Sequence, residues 1–253
     1  MINIASIALK PGMEIGEDII NYKNELLVPA GTILEESHIK KIPRHSVMSV
    51  VIKEAVDYAT THFEKVHLSE GFKKFDSVYS EYLLYYKELM IDFVMNGIPF
   101  QVEHLMDIYH AITPYASNGE LLLDYLYHLL PSEDNITHAH CLNSALIAGV
   151  FAKWLNLSEE DTDILIKCGF FYDIGKLKLP NELIWKPDKL TELEFMQIKT
   201  HTFAGFDLLK DLDLNPHIIN ATLMHHERCD GSGYPSRLRG NKIDLFAKYI
   251  AII

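Results

Sequence analysis

The spacing of apolar positions changes character near residue 60. Before it, short apolar runs are broken by turn formers: Pro11-Gly12, Gly16, Asn21 and Pro29-Ala30-Gly31. LLVPAGTIL (26–34) predicts two strands joined by a short Pro/Gly turn, and VMSVVIKEA (47–55) a further strand. SHIKKI (37–42) predicts a short helix with Ser37 as its N-cap. From residue 62 the period is helical. Phe75, Tyr79, Tyr82, Tyr86, Leu89 and Phe93 follow a 4-3-4-3-4 spacing, which lays an aromatic stripe along one face of a long helix. That stripe reads as a core-packing face, with a coiled-coil dimer seam as the alternative. Asn96-Gly97 ends the helix and Pro99 opens the next; Pro114 and Pro131 break the pattern again. Beyond 132, Ser158-Glu-Glu-Asp161 and Thr191-Glu-Leu-Glu194 read as capping boxes, and Asn215-Pro216 as a helix start. The chain divides into a small β-rich module (1–60), a helical linker or extension (61–119) and a helical domain (120–253).

Composition narrows the partners. With 253 residues, 48% hydrophobic and 23% charged, a sizeable core forms without staples. The net charge of −12 excludes nucleic-acid polymers and anionic membranes as partners, while leaving room for a small anion in a locally positive pocket. No apolar run reaches the roughly 18 residues of a membrane span, and the N-terminus lacks the pattern of a signal peptide. Cys141, Cys168 and Cys229 make no CxxC spacing and no disulfide framework, which fits a reducing cytoplasm.

The candidate chemistry starts at GFFYDIGKLKLP (169–180), where Asp173 sits among Phe170, Phe171, Tyr172 and Ile174. A carboxylate in apolar surroundings needs a positive partner. Lys176, one helical turn away, supplies one; a divalent cation supplies another. His138, His140, His201, His225 and His226 share the helical half with Asp173, and imidazoles with a carboxylate form a ligand set for Zn, Fe or Mn. The pair His225-His226 runs into ERCDGSGYP, where Gly231 and Gly233 allow close backbone approach or positive φ. Lys186, Lys189, Arg228, Arg237 and Arg239 are the cations nearest these stretches in sequence.

YDIGKLKLP, HHERCDGSGYP, the intervening WKPDKLTELEFMQIKTHTFAGFDLL and DNITHAHCLNSA together resemble the HD-GYP group of the HD-domain phosphohydrolase superfamily, over roughly residues 120–253. LKPGMEIGEDI and LLVPAGTIL are similar to a small module often placed ahead of such domains. The resemblance implies a mainly α fold, an all-helical HD-domain bundle preceded by the β-rich module. It implies metal-assisted hydrolysis of cyclic di-GMP to pGpG or GMP, with iron or manganese in preference to zinc. It assigns His140, Asp173, His201, His225 and His226 to metal, Asp173 and Lys176 to catalysis, and Lys176, Gly233, Tyr234 and Pro235 to substrate; Arg228, close to that loop in sequence, is added to the substrate-binding residues. Partners are cyclic di-GMP or a related small nucleotide, a signalling protein, and a second copy of the chain as a homodimer.

Two departures from the family pattern matter. Tyr172 stands where the histidine of the HD pair belongs, and the sequence ends at AKYIAII, where the family continues to another ligand aspartate, so the chain reads as interrupted. Ile136 replaces the acidic ligand of three-metal members, arguing against a third metal. One site therefore keeps Asp173, His201, His225 and His226, and the other keeps only His140 and Asp173. The expectation is one strong metal site, a second weakened by Tyr172, and weak or absent hydrolysis. The alternatives are a fully active phosphodiesterase and a non-catalytic interaction or output module.

Overall fold

The computed structural model describes residues 2–21, 25–42, 47, 49–53, 61–130, 135–184, 186 and 188–253. Its contacts divide the chain into two compact units, 1–73 and 74–253.

In the first unit β1 (Ile2–Ala5) pairs antiparallel with β4 (Ser49–Ile52), with Ile4 opposite Val50. A second two-stranded sheet pairs β2 (Ile19–Ile20) with β3 (Leu26–Val28). Ile15, Leu34, Ile42 and Ile52 are its most deeply buried side chains, and Val28, Val50 and Leu9 complete the core around them. Two expectations differ here. The segment after the Pro29–Gly31 turn is no strand and does not fold back on β3; Ile33 makes one isolated bridge with Glu14. Short helix α1 (Glu36–Lys41) is capped by Glu35 rather than Ser37. The longer Glu35 side chain meets the His38 N–H while the His38 ring returns a contact to the Glu35 N–H, satisfying two orphan donors at once.

Helix α2 (His62–Leu68) precedes α3 (Glu70–Ile91), the long helix of the aromatic stripe. Of the stripe, Phe75, Tyr79 and Tyr86 are buried and Tyr82, Leu89 and Phe93 half-buried, while Leu83 and Met90 complete the buried face. Tyr86 donates to the Phe170 carbonyl at 2.6 Å and Tyr79 to Asn143 Oδ1 at 2.6 Å, so each ring buries its body and satisfies its hydroxyl. A π-helical turn, Asp92–Asn96, closes on Gly97 in the left-handed region (φ 66). The next helix, α4 (Glu103–Ile112), begins four residues after Pro99. Pro114 lies in a short 3-10 turn behind it, and Pro131 falls outside the described residues.

The rest of the second unit is helical: α5 (Gly119–His128), α6 (Ile136–Trp154), α7 (Glu159–Phe171), α8 (Asn181–Ile184), α9 (Glu192–Lys199), α10 (His201–Leu209), α11 (Pro216–Met224) and α12 (Leu245–Ile250). Helices α6 and α7 form the main packed pair, with α11 and α12 against α7. Thr191 and Glu194 close a full capping box on α9. Ser158 accepts only the forward bond from the Asp161 N–H, because the aspartate is one methylene shorter than the glutamate that returns the second bond. Asn215 caps α11 as its sequence predicts. No helix among the described residues is long and apolar enough to cross a membrane.

Candidate metal centre and nucleotide groove

Three helix ends meet at one point. Asp173 follows the last turn of α7 and opens a 3-10 segment, Ile174–Lys178. His201 is the first residue of α10, while His225 caps α11 and His226 follows it. The 3-10 segment lies directly on α10. A Cβ on Gly175 would stand 1.9 Å from the His201 carbonyl oxygen and 2.6 Å from the Gly205 nitrogen, so only glycine allows the approach that carries Asp173 to His201.

Asp173 is 1% exposed. Its Oδ2 receives a hydrogen bond from Lys176 Nζ at 2.6 Å and lies 3.2 Å from His140 Nε2. Its Oδ1 lies 3.3 Å from His201 Nε2 and 3.6 Å from His225 Nε2, and has no hydrogen-bond partner. The ring tautomers explain why. His201 Nδ1 is 2.6 Å from the Ile198 carbonyl, and His225 Nδ1 is 3.1 and 3.0 Å from those of Ala221 and Thr222. A carbonyl only accepts, so Nδ1 carries the proton in each ring and Nε2 presents a lone pair. The two Nε2 atoms are 3.2 Å apart. With both rings neutral, lone pairs of two imidazoles and a carboxylate oxygen converge on one point, an arrangement that a cation stabilises. His226 joins them: one ligand atom from each of Asp173, His201, His225 and His226 lies within 4.8 Å of all the others. The donor set therefore fits a divalent metal.

Electrostatics agree with that fit. Burial pushes the Asp173 pKa upward, and Lys176, which donates to Oδ2 at 2.6 Å, pulls it down and favours the carboxylate. Burial, reinforced by His225 and His201, lowers His226 to about 3, so its ring is neutral and able to ligate at neutral pH.

The opposite side of Asp173 is built differently. The Tyr172 hydroxyl lies 2.5 Å from His140 Nε2 and 3.0 Å from Ser144 Oγ. Burial, with Cys141 and Asp173 nearby, raises the Tyr172 pKa, so the group is a phenol. The nitrogen that His140 offers is thus engaged by a neutral hydroxyl. His138, two residues earlier, lies outside the cluster: its ring meets Tyr86 edge-on at 6.2 Å, and neither ring nitrogen has a hydrogen-bond partner among the described residues.

The Gly231–Pro235 loop covers the cluster. Gly231 takes a positive φ of 81°, whereas Gly233 is needed for space, since a Cβ there would come within 2.4 Å of the Arg228 nitrogen and 2.5 Å of the His226 carbonyl oxygen. Tyr234 stacks on His226 with ring centroids 4.5 Å apart. Beyond it opens a groove of about 610 Å3, lined by Met196, Lys199, Phe203, Tyr234, Pro235 and Arg237 among others. Of the five cations near the motifs in sequence, Arg237 lines this groove. Arg228 is exposed and sits 3.9 Å from Asp230, outside the lining; Lys186 is bound to the Glu194 carboxylate at 2.8 Å.

Several contributors escaped the sequence reading. Buried Glu227 accepts from the Ser236 N–H at 2.6 Å and the Leu238 N–H at 2.9 Å, which pins the loop from beneath. Its only sequence signal is its place after His225-His226. Ser144, which holds Tyr172, looks like any small helix residue, and Lys199 like any surface lysine.

The helical bundle turns three histidines and one buried carboxylate onto a single point, beside a groove lined in part by the Gly231–Pro235 loop. The family model for the HD domain matches residues 121–253, and the chain belongs to that family. It is 36% identical over 132 residues to the cyclic di-GMP phosphodiesterase response regulator RpfG of Xanthomonas campestris pv. campestris, covering 51% of this chain and 35% of that protein. It is 36% identical over 124 residues to 3'3'-cGAMP-specific phosphodiesterase 1 of Vibrio cholerae, covering 49% of this chain and 29% of the relative. The chain thus spans about a third of the length of these curated relatives. Among solved structures it is similar to Bd1817, a HDG"Y"P protein from Bdellovibrio bacteriovorus, with a TM-score of 0.56 and 17% identity over 99% of this chain and 85% of that one, a likeness of fold.

Proposed function

We propose that this chain is an HD-GYP-type cyclic dinucleotide signalling protein with one competent metal site and weak or absent hydrolysis. Asp173, His201, His225 and His226 would hold the competent metal, iron or manganese in preference to zinc. A cation bound there supplies Lewis acidity toward a phosphate oxygen and an acidified water. Lys176 keeps Asp173 ionised and sets an ammonium at its edge, where it neutralises charge on a phosphoryl oxygen. The Gly233-Tyr234-Pro235 loop closes over the cluster and limits water around a bound nucleotide. The relatives named for cyclic di-GMP and 3'3'-cGAMP phosphodiesterase activity support the substrate class, and the free cysteines support a cytoplasmic setting.

The observation that carries the impairment is the 2.5 Å contact between the Tyr172 hydroxyl and His140 Nε2. It engages the one imidazole available to a second metal and puts a neutral phenol where a further nitrogen ligand is needed. The test compares the unmodified chain with Tyr172→His for metal content and for cyclic di-GMP turnover with added Mn²⁺ or Fe²⁺. We expect higher metal content and faster turnover in Tyr172→His. Turnover by the unmodified chain that Tyr172→His does not exceed removes the impairment. Failure of both proteins to bind metal or nucleotide favours a non-catalytic interaction module.

A further inference from the structure

The groove beyond Tyr234 carries charges that the metal centre does not use. Lys199, the last residue of α9, holds its Nζ 4.3 Å from the Phe195 ring centroid and 5.2 Å from that of Tyr234. The two π faces fix the ammonium in place. Its three N–H donors meet no hydrogen-bond acceptor or carboxylate among the described residues. Arg237 lines the same groove from a left-handed backbone conformation (φ 55), and its guanidinium likewise has no ion-pair partner among the described residues. Among the described residues no acidic side chain lines the groove, although the chain carries a net charge of −12. Some surface lysines are paired, as Lys210 is with Asp207, Lys73 with Glu70 and Lys40 with Glu36, and others such as Lys153 and Lys242 stand alone among the described residues; what sets Lys199 and Arg237 apart is that they share one groove. Two unpaired cations facing one cavity in an acidic protein are the complement of an anion.

The same cavity exposes aromatic and apolar surface. Phe203 and Met196 are 52% and 62% exposed, on the faces of α10 and α9 that look away from the bundle. His201 and Phe203 are two residues apart, so one helix turn sends an imidazole into the cluster and a phenyl ring into the groove. Tyr234 joins the two regions, stacked on His226 at 4.5 Å while lining the groove. A ligand reaching from cluster to groove therefore needs a phosphate at one end and a second anionic group beside a flat apolar ring at the other.

Resting on the functional reading above, we propose that Lys199, Arg237 and Phe203 form a specificity subsite for the second half of a cyclic dinucleotide, the cations holding its uncut phosphate and Phe203 stacking its base. The subsite distinguishes a ligand with two phosphodiesters from one with a single phosphodiester. Lys199 is a binding residue here and takes no part in bond breaking.

The test is calorimetric binding to the full chain loaded with Mn²⁺, with cyclic di-GMP and guanosine 3′,5′-cyclic monophosphate as probes. Lys199→Met is expected to weaken cyclic di-GMP about tenfold or more, as loss of a charge-assisted contact does. The same change leaves the cyclic mononucleotide and the metal content unaltered. Phe203→Ala is expected to weaken cyclic di-GMP by about tenfold, the cost of one lost base stack. Lys199→Arg retains most of the affinity, and Lys210→Met, just past the end of α10 and paired with Asp207, is neutral. Equal cyclic di-GMP affinity in Lys199→Met and the unmodified chain overturns this proposal while leaving the functional reading intact, and so does a parallel loss for both probes. An unmodified, metal-loaded chain that binds no cyclic di-GMP overturns the functional reading and the subsite with it.

Discussion

Asp173 shows how a single buried carboxylate organises its surroundings. Lys176 meets one oxygen and the imidazoles of His201 and His225 face the other, so the lysine foreseen from sequence is in place and the second oxygen is left to the histidines. Gly175→Ala tests how tightly that arrangement is made. The new methyl group would overlap the His201 carbonyl, so we expect a loss of about 1–3 kcal/mol in stability together with reduced metal content, read by thermal unfolding and metal analysis. His226→Ala separates ligation from packing. Its removal should lower metal occupancy and abolish the stabilisation that added Mn²⁺ gives, while the metal-free melting temperature changes little; unchanged occupancy would reject the ligand role.

Helix ends and helix faces do the positioning at the next scale. The Tyr86 hydroxyl ties α3 to the last turn of α7, three residues before Asp173. Tyr86→Phe leaves the buried Phe170 carbonyl without its donor and should cost about 1–3 kcal/mol, measurable by denaturant unfolding. The start of α9 carries a pH dependence. The hydrogen bond from Lys186, followed by those of Thr191, lowers Glu194 to about 2. A carboxylate with a depressed folded pKa stabilises the native state fully above its unfolded value, near 4.5, and the contribution fades as pH falls toward 2. Unfolding followed between pH 5 and 2 should show this loss, and Glu194→Gln should reduce the slope. These features were partly legible. The 4-3-4 aromatic spacing foretold α3 and its buried face, and Thr191 with Glu194 foretold the cap. Ser37 was misread because Glu35, a poorer cap by residue type, has the reach to pair with His38.

For the molecule as a whole, metal and stability are linked. If one cation joins α7, α10 and α11 through Asp173, His201, His225 and His226, it binds the native state alone. At a hundredfold excess over its dissociation constant it adds about 2.7 kcal/mol, or roughly 5–10 °C in melting temperature for a unit of this size. Chelation should remove that increment reversibly, as calorimetry with and without EDTA followed by Mn²⁺ would show; an identical melting temperature throughout would exclude tight metal binding.

The sequence by itself determined the helical half and the β-rich start, and its motifs, through their resemblance to a known family, singled out the histidines that gather around Asp173 from a list that also held His138. Local periodicity and short motifs carry those signals because they depend on neighbours within a few positions. Tertiary structure decided what no neighbouring residue encodes. Carbonyls three and four residues back in the helices fix the imidazole tautomers, so that Nε2 lone pairs face a carboxylate oxygen supplied from another element. Tyr172 settles on His140 and Ser144 because α6 lies against α7. Lys199 and Arg237 become a pair of unneutralised cations only when the loop after His226 folds beside α9. Side chains far apart in the chain act on one another through space, and only the packed fold sets those distances.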